Sequence, residues 1–421
     1  MLDIKFIRAN PEKVKEACRK KQAKIDIDRL LEIDKKRKEL MLAIEDTRAK
    51  KNRANEKIKA IHDKAERETV ILQMKELDTN SDRIQAEFEE IDAEFKGLMS
   101  IIPNLPLDSV PEGKNEAENK EIKKWGQIPK FDFEPKSHFE IGESLDIIDT
   151  QRASKVSGTR FGYLKNEGVM LKLALLDLGF KTLIKKGFTP ILPPVMIQKD
   201  ILSALGYNNR GFEETYCLDQ GNLCLVATTE HTIVPYFKDE ILPEQELPKR
   251  FVGFSSGFRR EAGSYGKDTK GILRVHEFHQ SEMISFCKPE DSEKEHTLML
   301  TIEEELMQAL NLPYHVVQMC SGDLGDPAAA KFDVEAWFPS ENKYRETHST
   351  SNCTDYQARR LNIRLKRRNG ELEFVHILNG TVFSERPILA ILENYQQKDG
   401  SVKVPNILQK YCGFKTIKSK R

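Results

Sequence analysis

The stretch that decides the fold of this 421-residue chain reads Phe258-Arg259-Arg260-Glu261, then twelve further residues, then Arg274-Val275-His276-Glu277-Phe278. We interpret Phe251–Gly257 and Arg274–Phe286 as two strands joined by a turn-rich loop. An arginine at the end of a strand can hold a phosphate with its planar guanidinium, and a phenylalanine on the returning strand offers a flat face to a purine. The pattern predicts a nucleotide site, although an ordinary hairpin with a surface arginine and a core phenylalanine also fits it.

The first hundred residues have a different character from the rest of the chain. They contain one glycine, Gly97, and one proline, Pro11, and their apolar residues recur at alternating spacings of three and four. This spacing is typical of two long helices packed along a seam. The polar stretch His62–Thr69 separates the two runs and is expected to hold the reversal. The predicted seam positions are Leu30, Ile33, Arg37, Leu40, Ile44, Thr47, Lys51, Ala54, Ile58 and Ile61, then Val70, Met74, Leu77, Ser81, Ile84, Phe88, Ile91, Phe95 and Leu98.

The two predicted helices differ in charge. Residues 11–60 carry 17 Lys or Arg and 10 Asp or Glu, whereas residues 61–100 carry 5 and 11. One interpretation is solvated faces with ion pairs between the helices; the other is that one side of the hairpin meets phosphates. Because the whole chain has a formal net charge of zero, any affinity for nucleic acid would have to come from such a local patch. The candidates near the outer end are Arg48, Lys50, Lys51, Arg53, Lys57 and Lys59.

Several classes of protein are excluded by composition and by missing motifs. The seven cysteines include no CxxC pair, which argues against a zinc ribbon and a disulfide framework and favours a reducing compartment. We expect no structural zinc, and His276-Glu277-Phe278-His279 is one residue too short for the HExxH zinc motif. The sequence has no GxxxxGK[ST] loop and no apolar run near the roughly 20 residues that span a membrane. We expect a soluble, cytoplasmic protein without a membrane partner.

The remainder of the chain predicts an α+β fold. The proline-rich and charged residues 111–129 are expected to form a linker without regular structure, following a domain of residues 1–110 whose helical arm covers about 28–98. Residues 130–421 mix predicted helices, such as Leu171–Lys186 and Ile388–Gln397, with strands that lack regular βαβ alternation. An antiparallel sheet flanked by helices is the architecture that this order favours.

Three segments together resemble the signature motifs of class II aminoacyl-tRNA synthetases. The opening hairpin is similar to motif 2, and Gly187–Pro194 is similar to motif 1, which forms the dimer interface in that class. Val375–Thr381 with Arg386 and Ala390–Gln396 is similar to motif 3. The resemblance implies a homodimer through Gly187, Phe188 and Pro194.

Longer matches resemble the serine branch of that class, the seryl-tRNA synthetase family. They are Lys155–Phe161, Thr228–Glu230 and Ser351–Arg360, and the similarity runs from Met1 to about Tyr411. The resemblance implies a ligase that activates L-serine with ATP and transfers it to the 3′ end of tRNA(Ser). Whether tRNA(Sec) is also charged is left open.

The resemblance also implies roles in ATP binding. Arg259 is expected to hold the α-phosphate and the serine carboxylate, and Arg386 the γ-phosphate. Glu261 is expected to recognise adenine, Phe278 to stack on it, and Val275 to touch the nucleotide through its backbone. These residues match the family positions one by one.

A magnesium site is implied by a further match. Glu346 and Ser349 correspond to the family's ExxS pattern and are expected to hold Mg²⁺ together with the phosphates. Mg²⁺ usually takes few protein oxygens and completes its shell with water and phosphate oxygens, so two ligands suffice. The expected catalytic residues are thus Arg259, Glu346 and Arg386.

Serine binding is implied at four positions, namely Thr228, Glu230, Glu282 and Thr381. An ammonium group needs anionic acceptors and a hydroxyl needs a hydrogen-bond partner, which these residue types supply. The stretch from Asn379 to Arg386 is one residue shorter than is usual in the family, so the register of Thr381 is left open.

Other functions compete with the ligase. A catalytically silent synthetase paralogue could act as an RNA-binding or regulatory module, but the intact set of Arg259, Glu261, Glu346, Ser349 and Arg386 argues against it. A ligase that charges a carrier protein would not need the helical hairpin. A threonine or proline synthetase is disfavoured by the serine-type segments.

Overall fold

The computed structural model describes residues 2–206, 213–218, 221–262 and 270–419. The chain divides into two compact units. The first contains residues 2–19 and 23–102, and the second contains residues 20–22 and the chain from Pro103 onward. None of the helices in the described ranges is both long and apolar enough to cross a membrane.

The first unit is helical. Its two long helices are capped at their N-termini by aspartates: the Asp26 side chain accepts from the backbone N–H of Arg29, and that of Asp63 from Ala65. The third helix has 34 residues, which corresponds to about 51 Å at 1.5 Å per residue. The helices are α1 Ile4–Ala9, α2 Pro11–Lys20, α3 Ile27–Ala60 and α4 Lys64–Ile101.

Helices α3 and α4 form the predicted hairpin. Every predicted seam position is buried or half-buried, and the residues at its base, such as Leu30 and Ile33, are fully buried. The Arg37 guanidinium lies 4.8 Å from the centroid of the Phe95 ring. Its aliphatic stem fills the seam, and its charged end pairs with Asp92 on the other helix. The ion pairs between the helices are Arg29–Glu94 (3.0 Å), Lys36–Glu87 (2.7 Å), Arg37–Asp92 (2.5 Å) and Lys51–Asp78 (2.7 Å).

The reversal between the helices is shorter than the sequence suggested. Helix α3 ends at Ala60 and α4 begins at Lys64, so most of the predicted turn His62–Thr69 is helical. The cause is the cap at Asp63, which satisfies an N-terminal backbone donor and lets the helix start within the polar stretch.

The second unit contains a large mixed sheet and its covering helices. Its strands are β1 Lys120–Trp125, β2 Ile148–Asp149, β3 Tyr163–Leu164, β4 Thr189–Ile191, β5 Met196–Gln198, β6 Leu223–Leu225, β7 Ile241–Pro243, β8 Lys249–Phe258, β9 Glu277–Cys287, β10 Tyr314–Gln318, β11 Ala330–Phe338, β12 Lys343–Asn352, β13 Arg364–Lys366, β14 Leu372–Phe374, β15 His376–Phe383, β16 Val402–Lys403 and β17 Thr416–Ile417. Its helices are α5 His138–Ser144, α6 Thr150–Ser157, α7 Asn166–Lys185, α8 Lys199–Ala204, α9 Glu230–Ile233, α10 Ser292–Ala309, α11 Tyr356–Leu361, α12 Arg386–Asn394 and α13 Asn406–Cys412.

Within the described residues, eight strands form one sheet in the order β1-β10-β11-β12-β15-β9-β8-β4. All neighbours are antiparallel except β4 and β8. Helices α7, α10 and α12 bury apolar side chains such as Leu175, Ile302 and Leu389 against one face of this sheet, where they meet Met283 and Val382. The opposite face of β8, β9, β12 and β15 carries polar side chains and holds the candidate site. The predicted α+β architecture on an antiparallel sheet flanked by helices is thereby confirmed.

The expectation that residues 111–129 form a linker without regular structure is wrong for β1. This strand pairs with β10 at the edge of the sheet, and Trp125 stacks on Tyr314 with ring centroids 5.6 Å apart. Its side chains up to Lys124 are exposed, because an edge strand without a covering layer keeps charged residues on both faces. The charged composition therefore resembled that of a linker.

Candidate active site

The floor of the site is a row of alternate side chains on β9. Phe278, Gln280 and Glu282 face the pocket, since residues two apart lie on the same face of a strand. Their partners on β8 are Gly257, Ser255 and Gly253. A Cβ at Gly257 would stand 2.8 Å from Cζ of Phe278, so only glycine lets the phenyl ring lie across the neighbouring strand. The result is an open trough with an aromatic end and a carboxylate end.

Arg259 lies at the aromatic end, directly after β8. Its guanidinium is 4.8 Å from the centroid of the Phe278 ring, and its Nε donates to the carbonyl of Ala227 at 3.2 Å. This places a cation beside the surface that is expected to bind adenine. Val275, also buried, lines the same pocket.

Glu261 is held by a residue to which the sequence assigned no role. It accepts from Arg274 Nη1 at 2.6 Å and has a left-handed backbone, with φ of +51°. The two residues begin and end the variable loop of the hairpin, so their ion pair closes the base of that loop. Residues 263–269 lie outside the described part of the chain. The motif spacing had separated Glu261 and Arg274 by thirteen positions, and only the folded hairpin brings them together.

A β-bulge brings Glu346 and Ser349 to the same face of β12. Residues three apart on a regular strand point to opposite faces. Here the register with β11 shifts between the pairs Val334–His348 and Glu335–Glu346, which leaves Thr347 as the extra residue. Both Glu346 and Ser349 consequently line the pocket.

Arg386 is the first residue of α12 and reaches Glu346 directly. Its Nη1 donates to the backbone carbonyl of Glu346 at 3.0 Å and to Oε2 at 2.9 Å. Burial opposes the charge of Glu346, but Arg386 and Lys331 outweigh burial and hold the pKa of that carboxyl below its usual range. The pocket therefore contains an ionised carboxylate beside a fixed guanidinium.

The carboxylate end of the trough joins three segments of the chain. Glu282 Oε2 accepts from the Thr228 hydroxyl at 2.6 Å and from the backbone N–H of Glu230 at 2.8 Å. Thr381 on β15 lies directly across from Glu282. The register then shifts at Val382, which is the extra residue of a second bulge, and Thr381 lines the pocket.

The protonation of Glu282 is shifted by its surroundings. Burial and the nearby charge of Glu230 raise the pKa of Glu282 to about 8, and the bond from Thr228 and the charge of Arg259 only partly oppose this. Binding of a cationic ligand beside Glu282 would therefore favour the ionised form of this carboxyl.

Gln280 and Glu385 are among the pocket residues that the sequence analysis did not predict. Gln280 shares the alternating face of Phe278 and Glu282, and this period of two was the signal that could have found it. Glu385 accepts from the backbone N–H of His279 at 3.0 Å and from Lys172 Nζ at 2.8 Å. No local pattern predicts the contacts of Glu385, because its partners lie more than a hundred residues away.

The cysteines include a pair that the sequence analysis had argued against. Cys217 and Cys224 form a disulfide across an isolated β-bridge, with Cα atoms 3.9 Å apart. Neither residue belongs to a CxxC motif, so only the pairing of the two backbone segments reveals their proximity.

The basic candidates on α3 divide into two groups. Lys50, Lys51 and Lys59 each form an ion pair, with Asp46, Asp78 and Glu56 respectively. Arg48, Arg53 and Lys57 are exposed and, in the described ranges, make no ion pair. The last three are the cations most available to a phosphate.

The motif 1 segment places its predicted interface residues unequally. Phe188 is only 2 % exposed and packs in the core, whereas Gly187 occupies a left-handed turn and Pro194 is exposed. Nearby apolar side chains are well exposed instead. These are Leu173, Ile184, Leu192 and Met196.

Two family models match the chain. Residues 1–106 match the seryl-tRNA synthetase N-terminal domain. Residues 215–395 match the tRNA synthetase class II core domain (G, H, P, S and T).

Similar proteins cover the whole chain. The serine–tRNA ligase of Dictyoglomus turgidum is 43 % identical over 426 residues, spanning 100 % of both chains. That of Treponema denticola is 43 % identical over 421 residues, spanning 99 % of this chain and 100 % of the relative. Among solved structures, seryl-tRNA synthetase from Pyrococcus horikoshii complexed with ATP aligns with a TM-score of 0.91 at 38 % identity over 100 % of both chains. Cytoplasmic serine–tRNA ligase from Naegleria fowleri in complex with AMP aligns with a TM-score of 0.83 at 32 % identity, over 98 % of this chain and 96 % of that one.

Proposed function

This chain belongs to the seryl-tRNA synthetase family, the ATP-dependent ligases of serine, and we propose that the trough on β9 is where it joins serine to ATP. The observation that carries the proposal is the linear order of the pocket side chains. An aromatic face and Arg259 lie at one end, Glu282 and Thr381 at the other, and Glu346 with Arg386 at the side. This order matches adenine, α-phosphate and serine in a seryl-adenylate.

The chemistry needs charge neutralisation more than a protein nucleophile. The serine carboxylate attacks the α-phosphorus of ATP and pyrophosphate leaves, so two anions must be held in line. Arg259 would contact both the carboxylate and the α-phosphate, and Arg386 the γ-phosphate. Phe278 would stack on adenine, and Glu261, already fixed by Arg274, would accept from its amino group.

The residues present also fit a magnesium ion. Glu346 and Ser349 offer hard oxygen ligands on one face because of the bulge at Thr347. No group of three or more His, Cys, Asp or Glu within the described ranges is arranged to hold a metal by itself, which suits an ion that phosphate oxygens complete. Bound Mg²⁺ would neutralise phosphate charge, while Arg386 keeps Glu346 in place.

Serine would bind through its ammonium and hydroxyl groups. Glu282 and Glu230 supply anionic acceptors, and Thr381 faces Glu282 across the pocket. Alanine lacks the hydroxyl, so it would leave a pocket group unpaired at a cost of about 1–3 kcal/mol. Threonine would have to be excluded by volume, because its extra methyl group needs space between Glu282 and Thr381.

The transfer to tRNA would require the helical hairpin. We assign residues 1–110 to tRNA binding, residues 130–421 to catalysis, and Arg48, Arg53 and Lys57 to phosphate contacts. Such contacts read the shape and backbone of the RNA more than its sequence. tRNA(Ser) is the expected acceptor, and a cytoplasmic location is part of the same proposal.

A homodimer is proposed from the exposed apolar residues near motif 1. Leu173, Ile184, Leu192 and Met196 form a set that a second copy of the chain would cover. Gly187 and Pro194 shape this surface, whereas the buried Phe188 supports it from beneath. The alternative of a silent RNA-binding paralogue has no support in the similar proteins.

The test is serine-dependent exchange of pyrophosphate into ATP by the full chain without tRNA. We expect exchange with serine and little with alanine or threonine. Exchange that is absent, or equal with all three amino acids, would contradict the proposal. Charging of tRNA(Ser) by the same preparation tests the second step.

A further inference from the structure

We propose that Gln280 is a positioning residue for serine activation: its amide directs the Thr228 hydroxyl to Glu282 and so orients the acceptor that meets the serine ammonium. The inference rests on the proposed function of the pocket. Gln280 lies outside the segments that resemble the family motifs. Its role is inferred from its hydrogen bonds, its burial and its position on β9.

The first step is the direction of the hydrogen bonds. Gln280 Nε2 donates to Thr228 Oγ1 at 2.7 Å, and Thr228 Oγ1 donates to Glu282 Oε2 at 2.6 Å. A hydroxyl has one proton and two lone pairs. Because an amide N–H points at the hydroxyl oxygen, the hydroxyl proton must turn towards the carboxyl. The backbone N–H of Glu230 approaches the same oxygen at 3.4 Å.

The second step concerns what remains available to a ligand. The Thr228 hydroxyl donates to Glu282 and accepts from Gln280 and from the backbone N–H of Glu230. All of its hydrogen bonds are therefore made within the protein. Glu282 Oε2 receives two donors, Thr228 and the backbone of Glu230. Oε1 of Glu282 is then the oxygen left for the pocket, in which Glu282 lies. The role of Thr228 is thereby to hold Glu282, more than to touch serine.

The third step is burial. Gln280 is 6 % exposed, Thr228 8 % and Glu282 8 %. A side chain in such a place cannot exchange a lost partner for bulk water, so its removal leaves the Thr228 oxygen short of a donor. The hydroxyl can then rotate, and Glu282 loses the bond that fixes its orientation.

The position of Gln280 in the row strengthens the assignment. It lies between Phe278 and Glu282 on the same face of β9, and hence between the proposed adenine and ammonium positions. Ser281, its neighbour, faces the other side, where it bonds the backbone of Phe383. Ser281 therefore provides a matched control on the same strand.

The experiment compares three Gln280 variants and one control variant of the full chain in serine-dependent pyrophosphate exchange. Gln280→Met keeps the size and removes the donor. Gln280→Lys keeps a donor without an acceptor, and Gln280→Glu keeps an acceptor without a donor. Ser281→Ala reports the effect of altering β9 away from the pocket.

We expect Gln280→Met to raise KM for serine by about tenfold while KM for ATP stays within about twofold, since one buried hydrogen bond is lost at the serine end. Gln280→Glu should also raise it, because the hydroxyl proton can turn away from Glu282 and a second carboxylate nearby disfavours the ionised form of Glu282. Gln280→Lys should restore KM for serine to within about threefold of the unmodified enzyme, and Ser281→Ala should leave both KM values near normal.

Three results would overturn the inference. One is a Gln280→Met enzyme whose KM for serine is unchanged; another is a Gln280→Lys enzyme no better than Gln280→Met. A purely structural role would move both KM values and the melting temperature together, and would also refute it. If the unmodified chain showed no serine-dependent exchange, the proposed function would fail instead.

Discussion

The helical hairpin and the trough on β9 are built in opposite ways. The hairpin repeats one contact type along α3 and α4, and ion pairs such as Lys51–Asp78 join neighbours across a single seam. The trough gathers Arg259, Glu346 and Arg386 from three separate parts of the chain. The hairpin should therefore tolerate single changes, whereas the trough should fail when one charged side chain is removed.

The largest effect is expected from Arg259→Ala. Its guanidinium lies 4.8 Å from the centroid of the Phe278 ring and would neutralise both the serine carboxylate and the α-phosphate. Removing such a group from a preorganised site costs on the order of 10³-fold in rate, so serine-dependent exchange should fall by about that factor.

The matched control for this change is Arg260→Ala. Arg260 is adjacent and exposed, and it does not line the pocket. Exchange should stay within about twofold. Equal losses in the two variants would mean that the loop, and not the Arg259 guanidinium, was damaged.

The helical hairpin is the part of the molecule that the sequence predicts most completely. The hairpin was predicted almost residue by residue, because its periodicity is local. Only the reversal was placed wrongly, since the cap at Asp63 is a single-residue effect. β1 was missed for a related reason: an exposed edge strand carries no apolar alternation.

The trough was predicted less completely. Motif matches named Glu346 and Ser349, but they could not show that the bulge at Thr347 is what turns both to one face. The same limit applies to Arg274, whose ion pair with Glu261 forms only when the two strands are side by side. A bulge or a cross-strand pair depends on pairing with a distant segment, which no local spacing records.

A second prediction concerns the exposed basic residues on α3 of the hairpin. Replacing Arg48, Arg53 and Lys57 together by alanine should weaken tRNA binding on the order of tenfold to a hundredfold, because three phosphate contacts are lost. The salt dependence of binding should become shallower, while exchange without tRNA should not change.

Lys75→Ala serves as the comparison for that triple change. Lys75 is an exposed cation on α4, the acidic helix of the hairpin. It should have little effect on charging. An equal loss from Lys75→Ala would point to general electrostatic attraction and not to a defined phosphate-binding side of α3.

A smaller effect is expected from pH at the carboxylate end. Burial and the charge of Glu230 raise the pKa of Glu282 to about 8, against Arg259, whose charge lowers it. Below that pH the free carboxyl is neutral and cannot balance the ammonium charge. KM for serine should therefore fall, by up to about tenfold per pH unit, as pH rises towards 8, whereas KM for ATP should change much less.

Glu282→Gln tests this interpretation. The amide cannot ionise, so its KM for serine should be high and nearly independent of pH between about 6 and 8. A persisting slope in that variant would assign the titration to a group other than Glu282.

The separation of the two regions is the central claim, and one excision tests it most directly. Residues 41–88 would be removed and Leu40 joined to Glu89 by a short glycine–serine turn, which keeps the Arg37–Asp92 pair and the buried base at Ile33. Exchange and tRNA(Ser) charging are then measured on the same preparation. We predict exchange within about threefold of the full chain and loss of nearly all charging at sub-saturating tRNA. Loss of exchange, or retention of charging, would contradict the account.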